Sequence, residues 1–151
     1  MTPCLDWAGL PSGLRCWFHN QRPKGKPMKR DMDIVRRIAL ATADMPYGQA
    51  LNGIEGVAPE VFVTHVVWMQ EAGLVEAAAM AGSGSLAMYA NVKRLTWDGC
   101  EFADAIRSDT LWAKAKEHVL VPGISFTFDV LKDWLKTEIA QGLPTLRKLG
   151  Q

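Results

Sequence analysis

The reactive side chains of this chain are few and poorly spaced for chemistry. Cys16 and His19 have the separation of a pair of metal ligands, and Cys4 lies nearby. A structural zinc site needs four ligands, and no fourth is in view. His65 could act as a proton switch or a ligand. The bland reading of a lone histidine on a helix is that it packs and bonds locally. Cys100 falls near a predicted helix start, where a thiol can become reactive, yet no histidine or second cysteine accompanies it. A small core residue is the expectation there. The acids Asp31, Asp33, Asp98, Glu101, Asp104 and Asp109 mark predicted helix starts or exposed faces. General acid–base work needs a carboxylate in a desolvated pocket with a partner, and no spacing suggests one. Gly82-Ser83-Gly84 lacks the lysine and following helix of a phosphate loop. The sequence therefore predicts no catalytic residue, no metal and no cofactor.

Binding is the remaining chemistry, and two sets of residues could supply it. Lys29, Arg30, Arg36, Arg37, Lys93 and Arg94 could form a basic strip against phosphates, with Thr64, His65 and Gln70 facing a groove of duplex DNA. The alternative set is apolar: Val61, Val63, Val67 and Trp68 share a helix that is greasy nearly all round, a pattern of deep burial or of a second face offered to a protein. Six dispersed cations are also often a merely solvated surface.

Charge weighs against the first set. The chain of 151 residues carries a net charge of only +1. Residues 1–27 hold Arg15, Arg22, Lys24 and Lys26 against Asp6 alone, so the remainder is net negative. Duplex-binding domains usually show a clear basic excess. Apolar residues at 48% are ordinary for a globular chain. No apolar run is long enough for a membrane span, and no secretion signal is evident. Three scattered cysteines give no disulfide framework, so a cytoplasmic protein is expected.

The elements that must position these residues follow from periodicity and caps. Residues 1–27, broken by Pro3, Pro11, Pro23 and Pro27, read as a disordered extension or a mis-assigned start ahead of Met28. A first helix spans Asp31 to Asp44, capped by Asp31, with Ile34, Ile38 and Ala41 on its stripe, Val35 beside them, and Arg36 and Arg37 exposed. Ala50 to Ile54 could add a short edge strand. Pro59 suits the first turn of a second helix, Glu60 to Ala72, which buries Phe62, Val66 and Met69. Gly73 closes it in the left-handed conformation. Strands from Leu74 to Ala79 and from Leu86 to Leu95 follow, joined by a small-residue tip without charge. Thr96 caps another helix with Phe102, Ala103 and Ile106 inside, where Gly99 implies close approach of a second backbone. Asp109 caps the next, carrying Leu111, Trp112, Ala115 and Val119. Phe128 to Gln141 forms the last, with Leu131, Trp134, Leu135 and Ile139 on its stripe. Residues 28–142 read as one domain and 143–151 as a tail.

Two segments add a resemblance. His65-Val66-Val67-Trp68-Met69-Gln70-Glu71-Ala72-Gly73-Leu74-Val75 resembles the recognition-helix-to-wing passage of bacterial winged-helix regulators. Arg94-Leu95-Thr96-Trp97-Asp98-Gly99, with Phe102, resembles the wing exit and following helix of the same proteins. With Met28-Lys29-Arg30-Asp31-Met32-Asp33 and Asp109-Thr110-Leu111-Trp112-Ala113-Lys114-Ala115-Lys116, the chain from Met28 to about Gln141 resembles the family called domain of unknown function 2513, small proteins of bacteria and their phages. The resemblance implies a mainly α fold with a small antiparallel β-wing (an α+β winged helix-turn-helix with additional C-terminal helices) and a phage or prophage setting. Its members typically begin at this methionine, and it implies no assigned activity. Two readings follow: a DNA-binding regulator, or an adaptor that binds a host or phage protein, such as a host regulator or defence component, through the apolar helix and the uncharged wing. A homodimer through the C-terminal helices fits either. The sequence departs from the regulator pattern at Glu60-Val61-Phe62-Val63-Thr64, where a DNA-reading helix normally offers Arg, Lys, Asn, Gln or Ser to base edges and phosphates.

Overall fold

The computed structural model describes residues 28–81, 87–121 and 127–142. Within them lie five helices and one antiparallel hairpin: α1 (Met32–Ala43), α2 (Pro59–Glu71), β1 (Val75–Ala81), β2 (Ala87–Leu95), α3 (Trp97–Ala105), α4 (Asp109–His118) and α5 (Phe128–Gly142). This is the mixed α+β arrangement that the periodicities predict. The expectations for Cys4, Cys16, His19, the Gly82–Gly84 loop and residues 143–151 fall outside the described residues.

Local chemistry fixes most boundaries. The Asp31 carboxylate accepts from the Asp33 N–H at 2.9 Å and caps α1. Pro59 occupies the first turn of α2, where its missing N–H costs nothing. Gly73, at φ +72°, ends that helix. The Leu74 N–H then reaches back to the Met69 carbonyl at 2.9 Å, a closure that satisfies the last turn. Thr96 caps α3 by accepting from the Gly99 N–H at 3.1 Å. Its own hydroxyl donates to the Gly73 carbonyl at 2.5 Å. One threonine thus ties the end of α2 to the start of α3, on either side of the hairpin.

Several expectations are corrected. The stripe of α1 is rotated: Met32, Val35, Ile38, Ala39 and Thr42 are buried, whereas Ile34 and Ala41 are half-buried. Ser108, not Asp109, caps α4, its hydroxyl accepting from the Leu111 N–H at 3.3 Å. The Ala50–Ile54 strand reduces to a single bridge between Leu51 and Val92. Cys100 is exposed, because the core face of α3 is Gly99, Phe102 and Ala103, and the next position turns outward. Ile139 also emerges, at 38% exposure, while Leu131 and Leu135 hold the inner face of α5.

The core is continuous from α1 through α2 and the hairpin base to α3, α4 and α5. Phe62, Ile38, Met69, Ile106, Leu131 and Leu135 are its largest fully buried side chains. Along β2, Ala90 and Val92 are buried while Tyr89 and Lys93 are exposed, the alternation of a strand packed on one side. Across the hairpin, Val75 pairs with Leu95, Ala77 with Val92, Ala79 with Ala90 and Met80 with Tyr89. The register slips between Glu76 and Ala77, leaving Lys93 as the extra residue of a bulge.

Candidate interaction surface

Two cations of the proposed basic strip, Arg36 and Arg94, are engaged by other groups of the protein. Arg36, expected in solvent, has a side chain only 16% exposed. Its Nε donates to the Ile106 carbonyl at 2.9 Å, and a terminal nitrogen reaches the Arg107 carbonyl at 3.3 Å and Asp109 at 2.6 Å. The same guanidinium lies 5.6 Å from the Trp112 ring centre. A cation at the C-terminal end of α3 fits both its free carbonyls and its dipole. Arg36 is thereby a clamp between α1, α3 and α4, not a phosphate contact. Trp112 reinforces that clamp by donating to Asp33 at 2.7 Å. Arg37 is exposed and donates to the Glu55 carbonyl at 2.6 Å. Arg94 pairs with Glu76 across the hairpin base. Lys29 and Lys93 are exposed, and Arg30 lies at the rim of a cleft beside Trp68 and Glu71.

Arg36→Ala should therefore act on stability. It removes charge-assisted bonds to two carbonyls at a half-buried helix end, and a loss of about 1–3 kcal/mol in denaturant unfolding is expected. Arg36→Lys should recover only part of it, because an ammonium cannot reproduce the fork. Arg37→Ala should stay within about 0.5 kcal/mol.

The helix expected to face a groove is largely turned inward. His65 is buried, at 1% exposure. Its Nε2 accepts from the Asp31 N–H at 2.9 Å, so Nδ1 carries the proton and donates to the Val61 carbonyl at 2.7 Å. His65 therefore cannot face a DNA groove in this conformation; it packs and bonds locally. Val63 is buried too, at 5% exposure, which removes it from the apolar set offered to a partner. Val61, Val67 and Trp68 stay half-buried, as does Thr64, whose hydroxyl donates to the Glu60 carbonyl at 2.8 Å. Gln70 is exposed, but so are Glu60 and Glu71, and α2 contains no lysine or arginine.

Apolar surface is displayed instead at two places. Trp68 stands edge-on to His65, with ring centres 5.1 Å apart. It lines a cleft of about 580 Å³ with Met28, Met32, Leu74 and Phe128. The hairpin displays Met80, Met88 and Tyr89, which are 68%, 77% and 44% exposed. From Ala77 to Val92 the sequence contains no charged residue. The sequence offers the uncharged wing as a whole to a partner without singling out Met80, Met88 or Tyr89, although Tyr89-Ala90-Asn91-Val92 alternates in a way that assigns Tyr89 to the outer face. Among the described residues no group of three or more histidines, cysteines or acids is placed to hold a metal. No described helix is long and apolar enough to cross a membrane.

Comparison with known sequences bears on the same core. The family described as "Hypothetical protein (DUF2513)" matches residues 29–125, which include α1 to α4 and the hairpin. The chain belongs to the DUF2513 family. A relative from Haemophilus influenzae, described as an uncharacterized protein, is 30% identical to this DUF2513 chain over 119 residues, covering 77% of it and 99% of the relative. No solved structure matches the chain significantly.

Proposed function

We infer that this DUF2513 protein is a non-catalytic adaptor that binds another protein through its hairpin and the adjoining end of α2. The observation that carries this reading is the part of the hairpin beyond its charged base, uncharged from Ala77 to Val92, with Met80, Met88 and Tyr89 in solvent. Large apolar side chains exposed together at the end of a hairpin are characteristic of a protein-binding patch. Methionine and tyrosine suit such a surface, the one for its adaptability and the other for its area. The cleft beside Trp68 could accept a further apolar side chain from the same partner. The acids favour a role without catalysis as well, since Asp31, Asp33 and Asp109 cap or clamp helices. A cytoplasmic product of phage or prophage origin, acting on a host or phage protein, suits this chemistry.

A second reading, a DNA-binding regulator of the winged helix-turn-helix type, is favoured by the order of helix, bridging strand, helix and hairpin. That label rests on element order alone, because residues 44–58, not a three- or four-residue turn, join α1 to α2. Against it stand an acidic outer face on α2 and cations already engaged at Arg36 and Arg94.

The two readings separate on one pair of measurements. In about 50 mM salt, where phosphate contacts are strongest, the full chain should not retard duplex DNA in a gel. Retention that fades steeply with salt would instead establish the regulator. Cross-linking in host cells should recover a protein partner with the native chain. Met80→Lys with Tyr89→Lys should reduce that recovery by about tenfold or more, because charge in an apolar contact is costly. Equal recovery with this variant would reject the hairpin as the docking surface.

A further inference from the structure

The face formed by α3 and α5 carries two rows of opposite charge with an apolar floor between them. Asp98, Glu101 and Asp104 line one side of a cleft of about 430 Å³, and Lys132 and Lys136 line the other. Steps of three along α3 and of four along α5 keep each row on one side of its helix. Phe102 and Leu135 form the floor, with Ile139 partly in solvent at its edge. Among the described residues no ion pair closes across the cleft. Asp104 reaches only Arg107, at 3.9 Å, and Glu101 accepts from the Trp97 indole at 3.0 Å. Lys132 lies 5.7 Å from the Phe128 ring centre.

We propose that this face joins two copies of the chain about a two-fold axis running along the cleft. Such a rotation sets α3 of one copy over α5 of its partner, and does so twice. Each acidic row then meets a lysine row, so the surface is complementary to itself, as a two-fold interface requires. A two-fold axis across the cleft would instead set acid on acid and lysine on lysine. The charge pattern selects the first arrangement. Ala105 lets the helices approach, and Trp97, 79% exposed on the Glu101 side of α3, supplies a large apolar surface at one end. This inference is independent of the hairpin reading.

Charge-swap variants of the full chain test it by light scattering and sedimentation. The native chain should show twice its monomer mass at about 100 μM in low salt, with association weakening about tenfold or more by 0.5 M salt. Lys132→Glu with Lys136→Glu, and separately Glu101→Lys with Asp104→Lys, should each give monomers. Mixing the two variants should restore a dimer, since each lysine row again faces an acidic one. Circular dichroism of each variant confirms that it is folded, and rescue on mixing excludes simple loss of structure. A monomeric native chain, as expected if a foreign helix occupies the cleft, would overturn the proposal. So would a dimer indifferent to both sets of substitutions, or no rescue on mixing.

Discussion

Gly99→Ala is expected to destabilise the protein by about 3 kcal/mol or more, although helix propensity alone predicts a gain of up to about 1 kcal/mol. The sign is decided by space. A Cβ built on Gly99 would lie 1.9 Å from the Leu74 carbonyl oxygen and 2.9 Å from its carbon. That carbonyl cannot easily retreat, because it accepts the Thr96 N–H at 3.0 Å while the Leu74 N–H is tied to Met69 at 2.9 Å. Backbone would have to move at the joint where α2, the hairpin and α3 meet. A fall of about 10 °C in melting temperature is the expected readout. Gly142→Ala is the control: a Cβ there meets nothing within 4 Å, so its effect should be small. An unchanged melting temperature for Gly99→Ala would show that the joint is not packed as described.

His65→Ala should cost about 3 kcal/mol, through two losses that occur together. Removing a ring buried to 1% exposure leaves a cavity between α2 and the start of α1. It also leaves the Asp31 N–H, 2.9 Å from Nε2, without its acceptor at the entry to α1. The edge-on contact with Trp68 goes as well, which should loosen the cleft that Trp68 lines. Urea unfolding should register the change, while Thr64→Ala one residue earlier should stay within about 0.5 kcal/mol. If His65 instead served a ligand, its removal would leave stability nearly intact.

The elements were largely legible in the chain because their signals are local. Asp31 and Thr96 announce helix starts by side chains that can accept a backbone N–H, and Gly73 announces a stop. Gly99 announced a close approach, and the Leu74 backbone is what approaches. The candidate surfaces were less legible. Arg36 and Arg37 are adjacent and look alike in sequence, yet one lies over Trp112 and bonds two carbonyls of the α3–α4 junction, and the other stays in solvent. Val63 and Val67 are both apolar positions of α2, and only the packing around the helix separates the buried one from the half-buried one.

Sequence by itself determined the order of helices and hairpin, the uncharged stretch from Ala77 to Val92 and the absence of a basic α2, since caps, glycines and charge are properties of neighbouring residues. Tertiary structure alone decided which charges are committed and which are presented. Arg36 is withdrawn by carbonyls seventy residues away in the chain, while Lys132 and Lys136 are set opposite the acids of α3. The physical reason is that a charge's role depends on the acceptors and apolar surface around it. Those neighbours come from distant parts of the chain.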